Sequence, residues 1–274
     1  MHVGVKFGLT TGREATDLAR KAEQLGYHSV WLSERVAVPL DKPHPYEPSI
    51  DPWIGLAFIA AAAEQLYLGT TVSQIALRDP VLMARELATL DILSRGRVTV
   101  GAGAGWVEAE FAATGVDFKT RGRRLTEFVQ VLRRLWTAPE EGWDGKFFHV
   151  PPVGLVRPHT PGGPPIYLGA GSPAGLRRVA QQGDGFIAVT LPLDAVAVLR
   201  KQILDRRADL GKTGPFPVWV QVEPPETIEA ARDVAKRYRE AGMDGIILSE
   251  ARAREAGFPA DDAVSQALIE AAAD

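Results

Sequence analysis

The 274-residue chain is 46% hydrophobic and 24% charged, which is ordinary for a globular protein and fits either two small domains or one α/β barrel. A formal net charge of −3 and a pI near 6.0 give it no general attraction to nucleic acid or to an anionic membrane. Cysteine is absent, which excludes disulfides, thiolate metal sites and a cysteine nucleophile together.

Strand and helix patterns alternate along the chain. The N-terminus "MHVGVKFGLTTG" lacks the basic and apolar regions of a signal peptide, so a cytoplasmic protein is expected. "VGVKFGL" (3–9) predicts a first strand, and "REATDLARKAEQLG" (13–26) an amphipathic helix stopped by glycine. "HSVWLS" (28–33) follows, then a proline-rich loop over 34–50. Asp51-Pro52 and Asp79-Pro80 each read as an N-cap followed by a proline at the first helical position, on either side of the strand "LYLGTTV" (66–72). The apolar run "IGLAFIAAAA" is ten residues, far short of the ~20 needed to span a bilayer. "RVTVGAG" (97–103) is the fourth strand, followed by helical segments to Trp136. Residues 138–165 interrupt the alternation as a Gly/Pro-rich insertion, with a small hairpin expected from "KFFHV" and "VGLV". "PIYLGAG", "GFIAVT", "FPVWVQV" and "GIILS" then alternate with four more helices, the first opened by Ser172-Pro173. Eight strands in strict βα order predict parallel strands with right-handed crossovers, closed as a single (β/α)8 TIM barrel over 1–274.

Four segments could carry chemistry. Gly101, Gly103 and Gly105 in "VGAGAGW" give G-x-G-x-G, one residue tighter than the dinucleotide fingerprint. They also follow the fourth strand, and the next carboxylates, Glu108 and Glu110, fall in a helix where neither could hold a ribose. A Rossmann site is therefore excluded; the glycines serve either to let a flat ring lie against backbone or only to allow tight packing. In "GAGSPAG" (169–175) a helix starts at Ser172, whose hydroxyl can cap it, bind a phosphate oxygen, or both. Thr70, Thr71 and Val72 are normal strand residues that demand no function. Glu34 and Arg35 end the second strand, where they either pair in solvent or join a site at the barrel mouth. The basic run "RGRRLTEFVQVLRR" reads as a solvated helix face, with an anionic ligand as the other possibility. The histidines, His2, His28, His44, His149 and His159, have no metal-ligand spacing, so no metal site is expected.

"GYHSVWLSERV", "LYLGTTV", "DPVLMARELATLDILSRGRVTVGAGAGW", "RGRRLTEFVQVLRRLW" and "PPIYLGAGSPAGLRRVAQQGDGFIAV" occur in an order that resembles the bacterial luciferase-like superfamily of flavin- and deazaflavin-dependent oxidoreductases. The resemblance spans nearly the whole chain, is most specific from 26 to 190, and is loose after 215. It implies a tricyclic ring across the C-terminal mouth of the barrel. Thr71 and Val72 match a segment that supports the ring from behind, where the family often has a non-prolyl cis peptide. Gly101, Gly103, Ala104 and Gly105 match the backbone along the cofactor, Trp106 a pocket wall, and Gly169, Ala170, Gly171 and Ser172 the phosphate-binding turn.

Three departures qualify the match. Glu34-Arg35 stands where many deazaflavin members have Asp-His, so the carboxylate is kept and the imidazole lost. Trp106 stands where the sugar-phosphate dehydrogenase branch has a proton-donating Glu. Ala104 replaces an Arg common in flavin luciferases. The resemblance thus favours coenzyme F420 and hydride transfer to or from a small organic substrate. The alternatives are an FMN monooxygenase fed by a partner reductase, or a flavin-binding barrel without turnover. Glu34 and Arg35 are the expected polar groups near the ring and the candidate catalytic pair. The loop 34–50, the 138–165 insertion and the loop after the sixth strand are expected to shape the substrate pocket, with His44 and His159 as contacts. A homodimer is the expected assembly.

Overall fold

The computed structural model describes residues 1–8, 11–40, 49–189, 191–249 and 260–274. In chain order its main elements are β1 (His2–Phe7), α1 (Gly12–Leu25), β2 (Ser29–Leu32), α2 (Pro52–Ala62), β3 (Tyr67–Thr70), α3 (Pro80–Leu93), β4 (Val98–Ala102), α4 (Glu108–Ala113) and α5 (Arg121–Thr137). The short strands β5 (Trp143–Asp144) and β6 (His149–Val150) come next. They are followed by β7 (Ile166–Gly169), α6 (Pro173–Gln182), β8 (Gly185–Ala188), α7 (Leu193–Asp209), β9 (Val218–Val222), α8 (Ile228–Glu240), β10 (Gly245–Leu248) and α9 (Asp262–Ala273). Eight strands close in the order β1-β10-β9-β8-β7-β4-β3-β2, each pair parallel, so the chain forms a (β/α)8 TIM barrel.

The expected helix starts all form. Asp51 and Asp79 accept from the second and third N–H groups of α2 and α3, and Ser172 accepts from Gly175 N at the start of α6, each with proline at the first helical position. α1 begins with a reciprocal Thr11/Glu14 capping box and ends at Gly26 with φ 87°. The main core lies between barrel and helices, built from the outward residues of the strands, among them Val5, Val30, Leu68, Val100 and Leu168.

A second, smaller core fills the barrel interior. Trp31, Ile187, Trp219 and Ile247 pack together there, with Val72 and Tyr167 against them. Trp31 and Trp219 have ring centroids 5.2 Å apart. Two indoles fit side by side only because the facing strands carry glycine. A Cβ on Gly69 would lie 2.3 Å from the Trp31 ring, and one on Gly245 2.5 Å from Trp219.

Two sequence expectations are corrected. The hairpin in the insertion forms between 143–144 and 149–150, and 153–156 contributes no strand. More consequentially, residues 138–165 join the end of α5 to the start of β7, which places them at the N-terminal end of the barrel. Their contacts agree. Thr160 donates its backbone N–H to Asp91 at the end of α3, and the Cβ of an alanine at Gly96, just before β4, would lie 2.9 Å from His159. The insertion and His159 thus stand at the face opposite the mouth and cannot shape a pocket there.

Candidate active site

The mouth is built from the chain just past β2, β3, β4 and β7. After β3 the Thr71–Val72 peptide bond is cis. Val72 packs against the interior cluster, with Gly103 and Gly169 on its other sides. Thr70 Oγ1 donates to Gly101 O at 2.7 Å, Ser73 N donates to the same carbonyl at 2.8 Å, and Gly103 N donates to Ser73 O at 3.0 Å. Gly101 allows this close approach, since a Cβ there would sit 1.7 Å from Thr70 O. Of the two readings left open for the first two glycines, tight packing is therefore satisfied by the protein itself. Gly105, with φ 75°, turns the chain toward Trp106, which is 59% exposed, and Arg35 lies over the Trp106 ring at 5.2 Å.

Glu34 and Arg35 do not pair with each other. Glu34 is 6% exposed and accepts from Ser73 Oγ at 2.8 Å, from Gln74 N at 2.6 Å and from Arg78. Arg78 also donates to Asp51 at 2.7 Å. Burial disfavours its charge, but Glu34 and Asp51 outweigh that effect and raise the guanidinium pKa above its usual value. Arg35 donates to the fully buried Glu110 at 2.8 Å, and the other Glu110 oxygen accepts from Val36 N at 2.8 Å. Both side chains thus tie the loop after β2 to its neighbours, one to the segment after β3 and the other to α4.

The turn after β7 is different. Gly171, Ser172, Pro173 and Ala174 are exposed, and a Cβ on Gly171 would meet nothing within 4 Å among the described residues. Ser172 caps α6 through Gly175 N at 3.1 Å, Leu176 N donates to Ser172 O at 2.9 Å and Pro173 has no N–H, which leaves Ala174 N in the first turn and the N–H groups of Gly171 and Ser172 before it. This open turn at a helix N-terminus has the donors an anionic group needs. Ala170 lies partly buried beneath it, and Ala104 is partly buried beside Gly103.

Three polar side chains of the mouth have no counterpart in the sequence motifs. Gln221, on β9, is buried and donates to Thr71 Oγ1 at 2.5 Å, bracing the segment that carries the cis peptide. Gln74 is buried with its amide oxygen free of any hydrogen bond among the described residues, and that oxygen lies where a Cβ on Gly105 would come within 2.4 Å. Lys6 is the last inward-facing residue of β1, because Gly4, two residues earlier, faces Trp31. Burial lowers the Lys6 pKa from its usual value, and Glu223 opposes the shift. Strand parity points to Gln221 and Lys6 once the strand ends are known, whereas Gln74 lies past the end of β3 and follows no such rule. His44 lies outside the described residues.

A cavity of about 630 Å³ lies at the other end of the barrel. His2, His28, Tyr67 and Trp219 line it, with His28 stacked on Tyr67 at 4.7 Å and 3.9 Å from His2. Burial, with a smaller contribution from His2, pushes the His28 pKa down to about 4. Barrel chemistry is found at the C-terminal face, so the size of this cavity does not make it the active site.

The chain is thus a parallel (β/α)8 barrel whose C-terminal mouth carries a row of glycines, a braced segment after β3 and an open helix N-terminus after β7. The luciferase-like monooxygenase family model matches residues 3–273, and the chain belongs to that family. An uncharacterized protein of Mycobacterium bovis is 30% identical over 90% of this chain and 91% of its own length. An F420-dependent glucose-6-phosphate dehydrogenase of Amycolatopsis mediterranei is 33% identical over 65% of this chain and 54% of the relative. Among solved structures, the monooxygenase RslO1 from Streptomyces bottropensis is 25% identical with a TM-score of 0.73, covering 98% of this chain and 88% of that one. An F420-dependent secondary alcohol dehydrogenase superposes with a TM-score of 0.80 at 19% identity, over 100% and 99% of the two chains. Among the described residues no helix is long and apolar enough to cross a membrane.

Proposed function

We propose that the protein is an oxidoreductase that uses coenzyme F420 to move a hydride to or from a small organic substrate. The observation that carries this reading is the pairing, at one mouth, of the flat Val72–Gly103–Gly169 surface with the open Gly171–Ser172 turn. A planar ring with an anionic side chain needs those two features side by side. When bound, a deazaflavin supplies hydride chemistry and reacts little with oxygen. The chain's own part is positional. Val72 and the glycines present a flat floor, Gly171, Ser172 and Ala174 offer backbone donors to the anionic group, and Trp106 walls the pocket from water. Glu34 and Arg35 hold the surrounding loops in place. Trp106, where a sugar-phosphate dehydrogenase would have its acid, argues against that substrate.

Titration with F420 and with FMN tests the assignment; tight FMN binding with none for F420 defeats it. A second reading, an FMN monooxygenase supplied by a reductase partner, draws support from the likeness to RslO1. Oxygen uptake that depends on reduced FMN is its signature. We further propose a homodimer. α2 has no charged residue, and Ile54 and Phe58 on it, with Leu82 and Leu93 on α3, are at least half exposed.

A further inference from the structure

The reading above leaves the proton unassigned, because neither an imidazole nor the acid after the glycines is present. Among the described residues the remaining candidates at the mouth are few. Glu34 has its oxygens engaged by Ser73, Gln74 and Arg78. Arginine does not give up a proton in proteins, which removes Arg35 and Arg78. His2 and His28 line the cavity at the opposite end, His159 lies beside Gly96 there, and His149 pairs with Asp144 in the hairpin of the insertion.

Lys6 is left. Val5 is in register with Leu248, and Leu248 with Val222. One residue further along, Lys6, Ser249 and Glu223 stand level on three adjacent strands. Two residues lower in the same register Gln221 reaches across to Thr71, and on β2 Trp31 is in register with Lys6 and turns its ring onto Gly4. Lys6 is partly buried and has no hydrogen bond or close ion pair among the described residues, while Ser249 beside it is buried and Glu223 exposed. A desolvated ammonium on the inward side of β1, with one carboxylate on the next-but-one strand, is a donor waiting for an oxygen acceptor.

We propose that Lys6 is the catalytic proton donor and acceptor of the mouth, and that the substrate is an aldehyde or ketone, or the corresponding alcohol, bound with its oxygen on Lys6 Nζ. The inference rests on the oxidoreductase reading. In reduction, the carbonyl carbon gains a hydride, which the reduced cofactor supplies, and the C=O π bond breaks. The oxygen takes a proton from the Lys6 ammonium, leaving a neutral amine that water reprotonates. In oxidation the amine accepts the hydroxyl proton, the C=O π bond forms, and the hydride passes from the carbon to the oxidised cofactor. Burial, which favours the neutral amine, brings Lys6 closer to the range where such exchange is efficient.

The test compares wild type with Lys6→Met, Lys6→Gln and Lys6→Ala. F420 affinity, turnover of a panel of small ketones and secondary alcohols, and the titration of ¹³C-dimethylated lysines by NMR are measured. F420 affinity is expected to be unchanged in all three, with kcat lowered about 100-fold or more, the usual worth of a positioned acid–base group. Added ethylamine restores part of the Lys6→Ala rate, and the resonance missing from Lys6→Met titrates below the bulk lysines. Wild-type turnover in Lys6→Met, or Lys6→Ala unmoved by ethylamine, overturns the assignment. Failure of wild type to bind F420 instead breaks the cofactor reading. A Lys6 resonance that titrates with the bulk lysines overturns the present inference separately.

Discussion

Replacing Gly101 with alanine puts a methyl group 1.7 Å from Thr70 O and 2.8 Å from Ile187 Cδ1. Neither neighbour can move aside as a flexible side-chain tip would, because one is backbone and the other belongs to the interior cluster. Reaching even 3.0 Å requires β3 and β4 to part by about 1.3 Å. The hydrogen bonds at stake are Thr70 Oγ1 to Gly101 O, Ser73 N to Gly101 O and Gly103 N to Ser73 O. At about 1 kcal/mol each, their loss plus overpacking of about 1–3 kcal/mol costs about 4–6 kcal/mol. For a chain of this size that lowers Tm by about 10 °C. Gly171→Ala, by contrast, adds its methyl to open space at a position without positive φ, and should shift stability by less than about 0.5 kcal/mol. Gly171→Leu should fold as wild type yet weaken F420 binding about tenfold or more, since its side chain fills the space assigned to the cofactor. Differential scanning calorimetry and F420 titration on the three variants read both effects. A Gly101→Ala protein melting within about 2 °C of wild type would refute the packing argument.

Other expectations follow from the same geometry. His28 titrates near 4 in the fold against 6.5 when unfolded, so the unfolded chain binds more protons between those values. Stability is therefore full above pH 6.5 and falls as pH drops toward 4, by up to about 2 kcal/mol at pH 5. Urea unfolding at pH 7.5 and pH 5 should show this difference shrinking in His28→Phe; an equal difference in both proteins contradicts the burial of a neutral ring. Glu34→Gln leaves Arg78 short of a charge partner and should cost about 3 kcal/mol in urea unfolding, with faster amide exchange at Ser73 and Gln74. An unchanged exchange pattern would argue against the clamp. Phe58→Glu should convert a dimer to monomer by light scattering, and a wild-type protein that is already monomeric removes that proposal.

The barrel was legible because every strand is a short β-branched run and most helices start with a cap or a proline, signals that local chemistry fixes without reference to the rest of the chain. The glycines were legible as a mouth element, but not which of them the protein uses for itself. Gly101 is required by a carbonyl 31 positions earlier in the chain, and Gly171 by nothing among the described residues. Glu34 and Arg35 looked like a pair because they are adjacent. Their true partners, Arg78 and Glu110, are brought in by α3's approach loop and by α4, which no spacing rule connects to them. The position of the 138–165 insertion, on the other hand, could be read from order alone. A segment between a helix and the next strand must lie at the N-terminal face of a parallel barrel.

The tryptophan pair inside the barrel also bears on how this chain can vary. Trp31 fits against Gly4 and Gly69, and Trp219 against Gly245, so ring and gap are two halves of one volume contributed by different strands. A smaller residue at 31 alone opens a void, and a methyl at 69 alone collides, whereas the two changes together can restore the fill. What descent must preserve in this layer is therefore a sum across strands, and substitutions at 4, 31 and 69, or at 219 and 245, are tolerated in company before they are tolerated singly.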